Sequence, residues 1–171
     1  MQKEGENLDR KILEALYKNY YRELYLYAYS MCGKREAAED ILQEAFLKAC
    51  TALKDSHTNM RAWLYLVVRN LCINYLKKEK RTELRDNLEV EQRKKDQTDR
   101  MDPLEYLLKN EEQQRIWEAL QKLDSPGKEI LVMMYAGQLP QKEIAAILHM
   151  TPENVRVHAY RAKRKMREWL Q

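Results

Sequence analysis

From Leu8 to Met31 the apolar residues Ile12, Leu13, Leu16, Tyr17, Tyr20, Leu24, Tyr27, Ala28 and Met31 recur at spacings of three and four. That period lines one face of a helix, and Gly33 supplies its stop. A second helix is predicted from about Arg35 to Lys54, with Ala38, Ile41, Leu42, Ala45, Phe46, Ala49 and Leu53 inward. Asp55 to Asn59 (DSHTN) reads as a polar turn. A third helix follows from about Met60 to Glu79, carries Trp63, Leu64, Leu66, Val67, Leu71, Ile73 and Leu76, and ends in the basic run Lys77 to Arg81.

Between Thr82 and Pro103 the pattern lapses. Charged residues dominate there, and Leu84, Leu88, Val90 and Met101 hold no lasting period, so this stretch is expected to be a flexible linker whose start can continue the third helix. Beyond it an amphipathic helix is predicted from Leu104 to Leu123, with Leu107, Leu108, Ile116, Trp117 and Leu120. Ser125 and Pro126 resemble an N-cap and first-turn pair for a helix of Ile130, Leu131, Met133, Met134 and Tyr135 that stops at Gly137. Leu139 to Met150 (LPQKEIAAILHM) predicts a two-turn helix with Ile144, Ala145, Ile147 and Leu148 inward, followed by a turn at His149, Met150 and Thr151. Thr151 and Pro152 then open a last helix to about Leu170, with Val155, Ala159, Ala162, Met166 and Trp169 on one stripe. The expected fold is all-α: two small helical domains at 8–81 and 104–171, joined by the linker at 82–103.

Composition agrees with that reading. The 171 residues include only 4 Gly and 4 Pro, too few to turn the many strands of a sandwich or barrel. No apolar run approaches the roughly 20 residues needed to span a bilayer, and the opening MQKEGENLDRK lacks a signal-peptide core, so a cytoplasmic location is expected. Cys32, Cys50 and Cys72 are widely spaced, odd in number and without a CxxC pair or a nearby His. They are expected to be buried thiols rather than disulfides or metal ligands. His57, His149 and His158 are scattered too. No catalytic triad order, phosphate-binding glycine loop or paired-carboxylate constellation can be assembled, which weighs against an enzyme and gives no reason to expect a cofactor or metal.

Three constellations carry chemistry. The short helix, tight turn and capped last helix form a helix-turn-helix pattern, whose outward face presents Glu153, Asn154, Arg156, Val157, His158, Arg161, Arg164 and Lys165. Asn, Arg and His in its first turns can address base edges, and the later cations can address phosphates. An ordinary solvated basic helix is the bland alternative, and the turn and cap together argue against it. The third helix combines Arg61, Arg69, Lys77, Lys78, Lys80 and Arg81 with Trp63, Tyr65 and Tyr75, cations and ring faces of the kind that bind a single strand. Trp63 itself falls on the apolar stripe and is expected in the core. Glu36, Glu39, Asp40 and Glu44 crowd the start of the second helix. Dipole complementarity accounts for acids in the first turn, yet Glu44 lies beyond its reach, which leaves a partner surface as the competing explanation.

Taken together, Ala38 to Cys50 (AEDILQEAFLKAC), Met60 to Arg81 (MRAWLYLVVRNLCINYLKKEKR) and Leu139 to Leu170 resemble, in order, three motifs of the bacterial extracytoplasmic-function (ECF) sigma factors. The resemblance implies a promoter-recognition protein built from the second and fourth sigma domains. It implies that Glu39, Asp40, Gln43 and Glu44 meet the clamp helices of core RNA polymerase. It further implies that Asp55, Ser56, His57, Thr58 and Asn59 form the loop that captures a flipped -10 base. Arg61, Arg69, Asn70, Asn74, Lys77, Lys78 and Arg81 would line the melted -10 strand, and the last helix would read duplex -35 DNA. Family members commonly have an anti-sigma factor, so one is expected here. Asn74 stands where the family often has Asp, His149 where it often has Gly, and Val157 where a small polar residue is common. A stand-alone helix-turn-helix repressor and a helical protein-binding adaptor are the alternative readings of the residues alone.

Overall fold

The computed structural model describes residues 2–52, 59–86 and 108–171, with backbone alone for 2–8 and 86. Among these are seven helices and no strand: α1 (Gln2–Cys32), α2 (Arg35–Ala52), α3 (Met60–Asp86), α4 (Glu111–Gln121), α5 (Gly127–Tyr135), α6 (Gln141–Leu148) and α7 (Pro152–Leu170). Asp55 to Thr58, and the part of the expected linker from 87 to 103, lie outside the described residues.

The first three helices pack against one another. Leu24, Tyr27 and Ala28 of α1, Ala38, Leu42, Ala45 and Ala49 of α2, and Leu64, Tyr65, Val68 and Cys72 of α3 are all fully or almost fully buried. Alanines at 38, 45 and 49 let α2 lie close to its neighbours, while each buried Leu contributes about 1.5 to 3 kcal/mol by leaving water. Between α1 and α2 the chain reverses at Gly33, whose φ of 68° suits a residue without a side chain. Not every residue on the predicted stripe of α1 is covered, since Ile12 and Tyr17 are 39% and 49% exposed. Trp63 is half-buried against the core rather than within it.

Helix α3 continues through the start of the expected linker to Asp86, the helical continuation that the sequence allowed, because Thr82 to Asp86 contains no Gly or Pro to stop it. The helix expected from Leu104 is broken at residues 108–110, and α4 starts at Glu111, where Asn110 caps it by accepting a hydrogen bond from the Gln113 N–H at 2.9 Å; residues 104–107 lie outside the described residues.

The C-terminal unit is centred on Ile130, Met133, Ile144 and Val155, each completely buried. It does not stand apart from the N-terminal unit. Helix α1 packs on α5 and α3 on α6, so a single apolar cluster runs through both units. The ring of Tyr29 lies 5.9 Å from that of Trp117. At Gly137 an added Cβ would fall 2.5 Å from the Tyr65 hydroxyl, so glycine permits this approach of the two units. Tyr65 is therefore core, which removes it from the aromatic faces expected to meet unstacked bases.

Candidate nucleic-acid and polymerase interfaces

Helix α7 is set by its first turn and its buried stripe. The Thr151 hydroxyl accepts a hydrogen bond from the Asn154 N–H at 3.2 Å, and Pro152 occupies the first turn. Val155, Ala159 and Ala162 face the unit's core. Rotation about the helix axis is thereby determined, leaving Glu153, Asn154, Arg156, Val157, Arg161, Arg164 and Lys165 exposed and His158 half-buried. The preceding turn depends on His149, a non-glycine residue with φ 54°, whose N–H closes α6 on the Ala145 and Ala146 carbonyls. The cations on this face make long ion pairs, Arg156 to Glu153 at 3.4 Å, Arg164 to Glu168 at 3.7 Å and Lys165 to Asp124 at 3.7 Å. Exposed pairs of that kind stabilise by about 0 to 1 kcal/mol, so exchange for a phosphate is easy. The sequence reading missed Tyr160, which is 66% exposed and lines a 290 Å³ cleft with Gln141, Arg156, Arg164 and Arg167. Its spacing of four from both Arg156 and Arg164 was the available signal.

Ser125 behaves differently from the sequence expectation. The N-cap of α5 is Pro126, with no side-chain cap bond, and the Ser125 hydroxyl instead donates to Glu129 Oε1 at 2.6 Å. Glu129 is 2% exposed and holds together three elements: its Oε2 also accepts from the Tyr27 hydroxyl at 2.8 Å and from Arg69 Nε at 2.9 Å. Burial, then the Glu129 carboxylate, pushes the Tyr27 hydroxyl well above its ordinary pKa. Nearby, Lys128 Nζ reaches the Ser30 carbonyl at 3.4 Å, and burial lowers the pKa of its ammonium.

These bonds divide the residues assigned to the -10 strand. Asn70, Asn74, Lys77, Lys78 and Arg81 form one exposed stripe along α3. Arg69 instead turns toward Glu129. Arg61 lies against α1, donating from Nε to Glu23 Oε1 at 2.9 Å and from Nη2 to Oε2 at 3.2 Å, with its guanidinium 5.3 Å from the Tyr20 ring centre. Burial raises the pKa of Glu23 despite the opposing effect of Arg61. Asn59 uses its Oδ1 to accept from the Ala62 N–H and its Nδ2 to donate to Glu143 of α6. Tyr75 donates to Glu79 at 3.1 Å, and Lys34 pairs with the same carboxylate.

On α2, Glu36 lies in the first turn and Glu39 pairs with Arg35 at 2.9 Å. Asp40, Gln43 and Glu44 are exposed beyond it, with Glu44 3.6 Å from Lys48. Leu47, 67% exposed, shares their face, a detail the sequence reading passed over. An exposed leucine rimmed by acids is not accounted for by helix capping. The thiols of Cys32 and Cys72 prove to be neighbours, both buried, and Cys50 is half-buried. Their mutual hydrogen bond lowers the pKa of Cys32 and raises that of Cys72. Among the described residues no cluster of side chains could hold a metal ion, and no helix is long and apolar enough to cross a membrane.

Residues 16–82 match the model of sigma-70 region 2, and residues 113–166 match that of sigma-70 region 4, so the two together take in more than half of the chain. The chain belongs to the ECF sigma factors. It is 27% identical over 164 residues to the RNA polymerase sigma factor YlaC of Bacillus subtilis (strain 168), covering 93% of this chain and 92% of that one. To the ECF RNA polymerase sigma factor SigM of the same organism it is 26% identical, over 91% and 93% of the two chains. Among solved structures, it is similar to the sigma factor RpoE from a complex with the anti-sigma factor NepR of Bartonella quintana. That match has a TM-score of 0.72 at 21% identity and covers 94% and 97% of the two chains. CnrH, solved with the cytosolic domain of CnrY, gives a TM-score of 0.65 at 23% identity, with 94% and 88% covered. This sigma factor is therefore a transcription initiation factor that works with RNA polymerase on DNA, its N-terminal unit corresponding to region 2 and its C-terminal unit to region 4.

Proposed function

We propose that this sigma factor recognises promoters at two separate elements. Helix α7 enters the major groove of the -35 duplex, with Asn154, Arg156, His158 and Arg161 toward base edges and Arg164 and Lys165 toward phosphates. Helix α3 follows the melted -10 strand, first with Asn70, Asn74, Lys77, Lys78 and Arg81 and then with Asn59, Arg61 and Arg69 once these exchange their carboxylate partners for nucleic acid. The Asp55 to Asn59 loop captures a flipped base, which offsets part of an unpairing energy of a few kcal/mol. Asp40, Gln43, Glu44 and Leu47, with Glu39 beside them, dock on the clamp helices of the polymerase. An anti-sigma factor restrains the protein, as suggested by the two similar structures solved with NepR and CnrY.

The observation that carries this reading is the α7 face: one stripe locked into the core and the opposite one mostly polar and rich in exposed cations, Arg156, Arg161, Arg164 and Lys165. A stand-alone repressor would share that face but leaves the acid and leucine surface of α2 without a purpose. The deciding experiment combines purified chain with core RNA polymerase and a library of promoter fragments. Co-elution with core and transcripts from defined starts are expected. Tight duplex binding with no polymerase association would give the repressor reading first place.

A further inference from the structure

Val157 is out of character with the side of α7 on which it stands. Successive residues of a helix turn by about 100°, and Val155, Ala159 and Ala162 define the buried side. Val157 then falls within about 20° of the point directly opposite the middle of that stripe. Asn154 and Arg161 lie to one side of it, by about 60° and 40°, and Glu153 and Arg164 to the other, by about 40° and 20°. It is 45% exposed. An apolar side chain therefore occupies the centre of a face whose flanking groups are polar or charged. Nothing local selects it, since valine is among the weaker helix formers and the core is served by the other side of the helix. Tyr160, also exposed, is a different case: its ring belongs to the cleft with Gln141, Arg156, Arg164 and Arg167, and it keeps a hydroxyl for hydrogen bonding.

The edges of the bases limit what such a side chain can meet in a major groove. Guanine offers acceptors at N7 and O6, cytosine a donor at N4, and adenine an acceptor at N7 and a donor at N6. Thymine alone offers an apolar group, its C5-methyl, beside the O4 acceptor. Valine can neither donate nor accept a hydrogen bond. Against N7, O6, N4 or N6 it would displace water and return nothing, which penalises those bases. Against a thymine methyl it removes apolar surface from water on both partners. Its place along the helix suits this contact, because the first turns of the second helix of a helix-turn-helix reach the base edges and Val157 lies in the second turn of α7. Trp169, exposed at the far end of the helix, does not share that position.

We infer that Val157 is a thymine reader: its isopropyl group packs on the C5-methyl of one thymine in the -35 duplex and so specifies a T·A pair at that position. The inference rests on the assignment of α7 to the -35 duplex and adds to it the base that the central side chain selects. Asn154 and Arg161 address the hydrogen-bonding edges beside it.

The test uses the full chain assembled with core RNA polymerase. Binding-site selection first defines the preferred -35 sequence of wild type. Each thymine in it is then replaced singly by deoxyuridine, which removes the methyl group and leaves every hydrogen-bonding atom in place. Equilibrium binding is measured for wild type, Val157→Ser and Val157→Ile, with circular dichroism to confirm the helices. One deoxyuridine replacement is expected to weaken wild-type binding about fourfold, the equivalent of about 0.8 kcal/mol for one buried methyl-sized group. Val157→Ile should keep that sensitivity at the same position. In Val157→Ser it should largely vanish there, while any effect at other thymines stays, and selection with Val157→Ser should lose the T·A preference at that position alone. A preferred sequence with no methyl-sensitive thymine would overturn the inference, as would a methyl effect of equal size in Val157→Ser and wild type. Failure of the underlying assignment would look different: a preferred -35 sequence left unchanged by Asn154→Ala and Arg161→Ala as well as by Val157→Ser would remove α7 from base reading altogether, and this inference with it.

Discussion

Arg161 on α7 and Arg69 on α3 are both assigned to DNA, and each lies on a helix whose opposite face is packed into the core. Arg161 is exposed, whereas Arg69, only 19% exposed, is bonded to a glutamate of the other unit. The face proposed for the -35 duplex is thus exposed, while part of the face proposed for the -10 strand is occupied by the protein's own carboxylates. Equal chemistry on two helices does not make two equally available surfaces. Availability follows from what each helix is packed against.

The sharpest way to break this comparison is to remove each arginine in turn and measure unfolding in urea. Arg69→Ala leaves Glu129 buried with one charge partner missing, which should cost about 3 to 5 kcal/mol. Arg161→Ala should change stability by no more than about 0.5 kcal/mol. Similar costs for the two would mean that the Glu129 contact contributes little to the fold.

A second charged surface extends the comparison to a protein partner. Asp40 and Glu44 are exposed on α2 and contribute nothing to its buried face of Ala38, Ile41, Leu42, Ala45 and Phe46. Reversing both to Lys should leave circular dichroism and melting nearly unchanged but weaken co-elution with core polymerase by about 2 to 5 kcal/mol, the range for disrupted interface charge pairs. Wild-type retention by core in a folded double variant would remove the clamp assignment.

Binding-site selection sharpens the α7 side. Alanine at Asn154, Arg156, His158 or Arg161 should alter the preferred -35 sequence, each lost base contact costing about 1 to 3 kcal/mol of discrimination. Lys165→Ala should weaken all sequences alike. An identical selected motif from all four variants would show that this face does not read bases.

The smallest expected effect concerns the contact of the α1–α2 turn with α3. The Lys34 ammonium first, with Tyr75 adding a second hydrogen bond, holds the Glu79 carboxyl below its ordinary pKa of 4.5. Because the folded-state value is the lower one, the stabilisation is present above the unfolded pKa and is lost as pH falls through the folded pKa. Thermal melts of wild type and Glu79→Gln should therefore differ modestly at neutral pH and converge under acid conditions below 4.5. A gap that widens on acidification would contradict the assigned direction.

Much of the fold was legible because helix periodicity is a local property. The stripe of Val155, Ala159 and Ala162 and the Thr151 cap could be read from spacing alone, and the α7 face followed from them. Where the reading failed, a competing partner had taken a residue away from its local role. Ser125 has the chemistry of a cap, yet its hydroxyl goes to Glu129. Tyr65 has the chemistry of a stacking face, yet Gly137 and the α5 end cover it. The break at residues 108–110 was missed because Leu107 and Leu108 extend the apolar pattern, whereas Asn110 provides the cap of α4. Cys32 and Cys72, 40 positions apart, gave no sign of being neighbours.

The order of amino acids was sufficient to settle the helices, their buried stripes, the acid face of α2 and the basic face of α7, since each depends on residues within a few turns of one another. The folded chain alone settled which of the donor side chains are already engaged. Arg69 with Glu129, Asn59 with Glu143 and Arg61 with Glu23 are joined across 60, 84 and 38 positions of sequence. A hydrogen bond of that kind leaves no periodic trace, because its two ends meet only after separate helices have packed.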